Sequence, residues 1–485
     1  MPSKGWLGWP SACRRLPRPR CLPYSTRTSH CSPARTLIVA AQGKNWRYRP
    51  VRNLGMTVMD LAVRRYVPRR GSSTQRSRMN ANRNNRSRSF RVLAVGTVTA
   101  TVGLGLFAGP AFAKKPRPVP SSHTVVATGL NNPRGLASEG DNLVYVSEAG
   151  TGGDECITIE SESTCFGFTG SITRFEKLGK SKQRSTKIVD GLLSIRAGSE
   201  VVGIDGIDVQ GKHRVFGVMA ESAQGIAADF AAADGAPTPT PTLGSAISTY
   251  AGRLVEFRKK RGVFTPAALA NVGGTNWDWS DAHKTDVWAP TNDFPDANPY
   301  AVVSEGNKHW VVDAGANTVT LVQKKKGVYT QTLISYIPNP VPDHDAAPAC
   351  IAKRGRYLYV GDLNFASFYG LTTAASTIWR IDTRATDPMT SAVAWATGLN
   401  PITGCGFAKD GLYVVQLRTV LSTGANGAIT RIGINKDGTA ASSGTWQTFG
   451  TDLVDPSGFA KLHNTILVAN KSTSTGAGEI WQFKI

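Results

Sequence analysis

One unit of sequence recurs six times between residues 123 and 485, and this repeat constrains the fold more than any other feature. Each unit runs apolar strand, turn, second apolar strand, loop, third strand. The third strands display it most plainly. They read Ser171-Ile172-Thr173-Arg174-Phe175, Arg253-Leu254-Val255-Glu256-Phe257, Thr318-Val319-Thr320-Leu321-Val322, Thr377-Ile378-Trp379-Arg380-Ile381, Ala428-Ile429-Thr430-Arg431-Ile432 and Glu479-Ile480-Trp481-Gln482-Phe483. Apolar and polar positions alternate, which is strand periodicity. The second strands, at 143–146, 215–218, 310–312, 358–360, 412–414 and 466–468, are continuous apolar runs. Such runs suit strands buried on both faces.

The first strands centre on Leu136, Ile207, Val302, Ile351, Phe407 and Phe459, at spacings of 71, 95, 49, 56 and 52 residues. A repeat of about 50 residues is that of a propeller, with insertions in the two long intervals. Fourth strands follow at 186–189, 267–272, 332–337, 392–397 and 446–453. The sixth unit lacks one, because the chain ends at Ile485. A spare strand lies at 123–127, and Ala127-Thr128-Gly129-Leu130-Asn131 recurs as Ala396-Thr397-Gly398-Leu399-Asn400 after a fourth strand. The sequence therefore predicts an all-β fold over 123–485: a six-bladed β-propeller whose last blade is closed by the N-terminal strand. Closure of that kind removes free sheet edges.

A formal net charge of +22 would ordinarily point to nucleic acid or an anionic membrane. Its distribution argues otherwise. Residues 1–113 hold 21 Lys/Arg and one acid, Asp60, whereas residues 114–485 hold 35 Lys/Arg against 33 Asp/Glu. No nucleic-acid partner is expected. The basic part ends in an export signal at 79–113: Arg83, Arg86, Arg88 and Arg91, an apolar run from Val92 to Phe107, then Ala111-Phe112-Ala113. The run is too short for a membrane span. Residues 1–78 are expected to be a disordered leader or a mis-assigned start, and 114–122 a linker. Cys13, Cys21 and Cys31 fall in the leader and are not read as metal ligands. The expected product is an extracellular monomer, cleaved near Ala113, with no membrane span. Four cysteines remain. Cys156 and Cys165 lie close together in one Gly-rich loop, leaving Cys350 to pair with Cys405. An even number in an exported chain favours two disulfides.

Loops after the second and fourth strands of a propeller share one face. Here they carry the insertions, at 148–170, 220–252, 273–298 and 362–376, so that face is the expected binding face. Ahead of the first strands sit Asn132, Asp205, Asn298, Asp345, Asn400 and Asp455; after the second strands sit Glu148, Asp313, Asp362, Gln416 and Asn470. Both sets are expected to ring the tunnel mouth. The ligand-face candidates are Glu148, Asp205, Asn298, Asp313, Asp345, Asp362 and Asn400. Carboxylates and amides converging there could hold Ca²⁺. The Asn-Pro and Asp-Pro pairs among them are also ordinary turn chemistry. His344, in Asp343-His344-Asp345, is a candidate general base or a solvated loop residue. Trp277, Trp279 and Trp288 could stack on a ligand or simply pack their loop. A short helix is expected within 221–233, followed by a stiff Pro-Thr linker at 237–241. No HExxH, P-loop, CxxC or GxSxG motif occurs, and no catalytic residue is assigned.

The first unit resembles the ScyD/ScyE family of secreted β-propeller proteins. The matching residues include Asn132-Pro133-Arg134-Gly135-Leu136, Tyr145-Val146-Ser147-Glu148-Ala149-Gly150 and Cys165-Phe166-Gly167. Asn298-Pro299-Tyr300 and Val312-Asp313-Ala314-Gly315-Ala316-Asn317 continue the match. The pattern blurs over 219–296, and Cys350 and Cys405 are additions to it. The resemblance implies a periplasmic or extracellular propeller whose founding members are associated with the pigment scytonemin, without an established catalytic role. More distantly it implies a fold like the NHL and gluconolactonase propellers, the latter with a catalytic Ca²⁺. The expected function is non-catalytic binding of a small molecule, glycan or protein. The alternative is a Ca²⁺-dependent lactonase or esterase-like hydrolase.

Overall fold

The apolar runs of the second strands become the middle layers of six antiparallel sheets. The structure, a computed structural model, describes residues 122–485 apart from 160–161, 234, 236, 290–293, 341–343, 409 and 418–425. The leader at 1–78 with its three cysteines, the export signal at 79–113, the linker up to residue 121, and Asp343 lie outside the described residues.

In chain order, β1 (His123–Leu130) precedes the first sheet of β2 (Pro133–Glu139), β3 (Leu143–Glu148), β4 (Glu155–Ile159), β5 (Glu162–Glu176), β6 (Arg184–Ala197) and β7 (Glu200–Val202). The second sheet has β8 (Ile204–Val209), β9 (Arg214–Met219), β10 (Arg253–Lys260) and β11 (Val263–Asn271). Two helices, α1 (Ala223–Ala232) and α2 (Pro241–Tyr250), interrupt it, and α3 (Val272–His283) follows it. The third sheet has β12 (Pro299–Glu305), β13 (Lys308–Asp313), β14 (Thr318–Lys325) and β15 (Val328–Tyr336). The fourth has β16 (Pro348–Arg354), β17 (Tyr357–Asp362), the short helix α4 (Phe365–Phe368), β18 (Ser376–Asp382) and β19 (Ala392–Leu399). The fifth has β20 (Ile402–Ala408), β21 (Gly411–Gln416), β22 (Gly427–Ile432) and β23 (Gln447–Leu453). The sixth joins β24 (Ser457–Leu462), β25 (Thr465–Asn470) and β26 (Gly478–Lys484) to β1, which pairs antiparallel with β26 from His123 opposite Phe483 to Leu130 opposite Gly478.

Strand geometry explains the continuous apolar runs. Successive side chains point to opposite faces of a sheet. Along β3, Val144 and Val146 pack against the sixth sheet while Tyr145 packs against the second. Along β21, Leu412 and Val414 face the fourth sheet while Tyr413 and Val415 face the sixth. Along β13, Val311 faces the second sheet while Trp310 and Val312 face the fourth. Six buried apolar clusters result, each lying between two neighbouring sheets. The first strands touch in the order β2, β8, β12, β16, β20, β24 and back to β2. This arrangement of sheets around their first strands is that of a β-propeller.

The approach of the first strands is close because small residues line it. A Cβ at Gly135 would lie 2.6 Å from the Asp205 carbonyl oxygen, and one at Gly206 would lie 2.6 Å from Ala301 Cα. Both disulfides form. Cys156–Cys165 joins directly opposed residues of β4 and β5, and Cys350–Cys405 joins the first strands of the fourth and fifth sheets with Cα atoms 5.7 Å apart. Disulfides of this kind persist in an oxidising compartment.

Three expectations change. The insertion at 148–170 is not only a loop, because β4 and the start of β5 form a hairpin; β4 and β7 together bring the first sheet to six strands. The Pro-Thr linker ends in a helix: Thr240 caps α2, accepting the Leu243 N–H, and Pro241 occupies the first turn, where its missing N–H costs nothing. Asp205 is the second residue of β8 rather than a residue ahead of it. Among the described residues no helix is long and apolar enough to cross a membrane.

Trp310 is 2 % exposed between the third and fourth sheets. Trp310→Ala should lower unfolding free energy by about 3–5 kcal/mol in a denaturant titration. Val287→Ala, at a fully exposed side chain, should leave it unchanged.

Candidate functional site

Most of the acids and amides expected at the mouth are engaged by the protein's own backbone. Glu148, ending β3, accepts the Asn131 N–H at 2.8 Å and the Thr173 hydroxyl at 2.6 Å. Asp313, ending β13, accepts the N–H groups of Asn298 (2.7 Å), Ala316 (2.9 Å) and Gly315 (3.1 Å), and the Asn276 amide at 2.8 Å. Gln416 accepts the Asn400 N–H at 2.8 Å, and Asn470 accepts that of Val454 at 2.7 Å. In four sheets, then, the residue ending the second strand pins the chain just ahead of the same sheet's first strand. Asp362 turns instead to the third strand, accepting the Thr377 N–H at 3.0 Å and the Trp379 indole N–H at 2.7 Å. Asp345 accepts the Asn317 side-chain amide, and Asn317 accepts the Ala347 N–H at 2.9 Å. Asn298 further accepts the Glu221 N–H at 3.3 Å. Buried polar groups need such partners, and here they brace turns. Burial pushes Asp313 up to about 6 and Asp362 up to about 7, against these donors.

Asp205 is the exception. It lines a cavity of about 70 Å³ where the six first strands meet. Matching positions of those strands place Arg134, Asp205, Tyr300, Ala349, Thr403 and Ser457 at one level of the cavity, with Gly135, Gly206, Ala301, Cys350, Gly404 and Gly458 at the next. The first level lies at the strand starts, on the face that bears α1, α2, α3 and α4. Asp205 is 1 % exposed, and neither carboxylate oxygen has a hydrogen-bond partner. Burial pushes it up to about 7; the Arg134 charge opposes the rise, Glu200 adds to it, and the nearby Gly203 N–H also opposes it.

Arg134 is buried too. One guanidinium nitrogen donates to Glu200 Oε1 and to the Val201 carbonyl, both at 2.5 Å, while its Nε has no partner. Burial works against its charge, but Glu200, Tyr300 and Asp205 outweigh that and hold its pKa raised. Burial likewise raises the Tyr300 hydroxyl, with Arg134 opposing. The hydroxyls of the ring tie neighbouring sheets together. Thr403 donates to the Pro456 carbonyl at 2.7 Å, and Ser457 donates to the Arg134 carbonyl at 3.0 Å.

Sequence reasoning found Asp205 but not its neighbours. Arg134 and Tyr300 each follow an Asn-Pro pair at a strand start, and that shared position was the available signal. Glu200, on the short β7, had none. Trp279 stacks on His283 with ring centroids 4.5 Å apart and lies 5.7 Å from Trp288 and 5.6 Å from Tyr336, so these rings pack their own loop. His344 is half-buried at the edge of the undescribed 341–343. Among the described residues no three His, Cys, Asp or Glu side chains gather as a metal centre would need.

No family model matches the sequence, and no curated protein matches it. Among solved structures, the PQQ-bound aldose sugar dehydrogenase of Streptomyces coelicolor is similar at 13% identity over 76% of this chain and 99% of that one, with a TM-score of 0.42. The periplasmic gluconolactonase of Pseudomonas aeruginosa is similar at 10% identity over 73% and 85%, with a TM-score of 0.38. Values this low transfer no residue's role.

The buried carboxylates make stability pH-dependent. Asp205, Asp208 and Asp362 titrate at about 7 in the fold, against about 3.9 when unfolded. The folded chain therefore holds more protons between those values, and stability falls as pH rises through the window. His309, pushed down to about 4 by burial, works in the opposite direction, but only below its unfolded value of about 6.5. Raising the pH from about 6.5 to about 8 should lower the melting temperature. Asp205→Asn should shrink that drop; a melting temperature that rises with pH would refute the assignment.

Proposed function

We propose that this chain is an exported, non-catalytic binding protein of the ScyD/ScyE type. Its six sheets are the blades of a closed propeller, with β1 completing the last blade, and its ligand enters the mouth between Arg134, Asp205 and Tyr300. The observation that carries this reading is the Asp205 carboxylate, buried without a partner where all six first strands converge. A buried carboxyl group that makes no hydrogen bond is costly, even with the Arg134 charge nearby. A bound ligand relieves that cost. The export signal at 79–113 and the two disulfides support a life outside the cytoplasm. The cyclic contact of the first strands and the β1–β26 pairing support closure.

Binding is favoured over hydrolysis by where the ring's hydroxyl protons go. Thr403 and Ser457 give theirs to backbone carbonyls, not to a base that could activate them. The donor set also fits Ca²⁺ poorly. That ion takes 6–8 oxygens, whereas this level offers a single carboxylate beside a guanidinium, and Glu148, Asp313 and Asp362 are held by N–H groups.

Thermal-shift screening of the secreted protein against small polar metabolites tests the reading. A ligand present at about 100 times its Kd adds about 2.7 kcal/mol to folding. Hits should lose their shift in Asp205→Asn and Tyr300→Ala. Hits whose shifts survive both substitutions would place binding elsewhere. Deleting residues 123–130 should expose β26 as a free edge and cause self-association, read by light scattering.

A further inference from the structure

We infer that a cavity between the first and second sheets is a second binding site, for an uncharged, compact hydrophobic molecule of about two fused rings. It shares no lining residue with the mouth, and it stands whether or not the mouth binds a ligand.

The two long intervals of the repeat put insertions into the first two units, and the insertions meet. Glu155, on the β4–β5 hairpin, accepts the Thr240 N–H at 3.0 Å and the Thr240 hydroxyl at 2.6 Å, at the start of α2. Leu243 and Ile247 seat α2 on the apolar cluster that the two sheets share. Beside this contact a cavity of about 300 Å³ stays open, lined by residues of α2, β6 and β11. Its lining is apolar almost throughout. Val189, Leu192, Met219 and Phe264 belong to the shared cluster, and Ala246 and Tyr250 to α2. Asp190 is the only charged residue in the lining; its side chain is 65 % exposed and lies 3.3 Å from Lys187 Nζ. A cation finds that charge already answered, and an anion is repelled by it.

The strand register gives a separate reason to look here. The fourth strand of every sheet carries an extra residue, as β6 does between Val189 and Leu192. Among the third strands, only β5 adds one of its own, between Gly167 and Gly170. That bulge contains Phe168, which lines the cavity and is 37 % exposed. Bulges re-aim side chains and concentrate near functional sites. Thr169 beside it holds the 151–152 turn, accepting the Thr151 N–H and donating to the Gly152 carbonyl, both at 2.8 Å.

Size then names the occupant. Interiors leave few voids larger than a water molecule. An apolar cavity of about 150 Å³ holds benzene, so one of about twice that volume has room for two fused rings. A partner's helix, about 10 Å across, does not fit. Apolar walls in contact with water carry a cost that a hydrophobic occupant removes.

Saturation-transfer NMR and isothermal titration on the secreted protein test the inference. The probes are 2-naphthol and borneol, one aromatic and one alicyclic. The comparators are 2-naphthoate, which adds a charge, and methyl β-D-glucopyranoside, which is polar throughout. At least one probe should bind, the glucoside should not, and 2-naphthoate should bind more weakly than 2-naphthol. Ala246→Trp, filling the cavity from a half-buried helix position, should abolish probe binding. Phe168→Ala should weaken it about three- to tenfold, the scale of a lost aromatic contact. This second variant, at an exposed position, keeps the test open if Ala246→Trp does not fold. Failure of both probes to bind, or binding indifferent to the substitutions, would overturn the inference. Equal binding of 2-naphthoate and 2-naphthol would overturn the uncharged class and the inference with it. If neither probe binds and the protein self-associates until Phe168→Ala disperses it, the cavity is a contact between copies and the inference fails.

Discussion

Burial of each second strand on both faces is the constraint on which the rest of the structure depends. A strand with apolar side chains on alternate faces needs a neighbour on each side. Val144 and Tyr145, adjacent in sequence, satisfy different neighbours, and so do Tyr413 and Val414. A linear row of such sheets would leave two apolar faces bare. Here the first and sixth sheets bury those faces against each other through Leu136, Val146, Leu467 and Ile480. The same contact brings the starts of the first strands to one point, which is what makes a mouth.

Building the mouth leaves little freedom to the residues around it. Glycines at 135 and 206 let first strands touch backbone to backbone. The acids and amides at the ends of the second strands hold the turns that feed those strands. Glu148 and Asp313 thus look like ligand groups in sequence but act as braces, because they accept turn N–H groups that burial would otherwise leave unpaired. Asp205 differs through its position. It is the second residue of β8, inside the strand rather than at the end of one, and its carboxylate oxygens accept no hydrogen bond.

Much of this fold was legible in the sequence. Period-2 alternation marked the third strands, the continuous runs marked the second, and the recurrence of Ala-Thr-Gly-Leu-Asn related β1 to β19. The hairpin of β4 with β5 was not legible, because Gly-rich residues on either side of Cys156 read as loop. The site was legible only in part. Asp205 could be named, but its register against Arg134 and Tyr300 depends on how β2, β8 and β12 align across sheets, and no local pattern encodes that. Glu200 reaches Arg134 only because β6 runs long enough to return the chain through β7.

The most direct measurement is a crystal structure of the secreted protein soaked with a ligand from the screen. The expected result is a ligand atom within hydrogen-bond distance of an Asp205 carboxylate oxygen, with Glu148 and Asp313 still holding their backbone partners. An Asp205 side chain paired with a protein group, over a mouth filled by the protein's own residues, would contradict it.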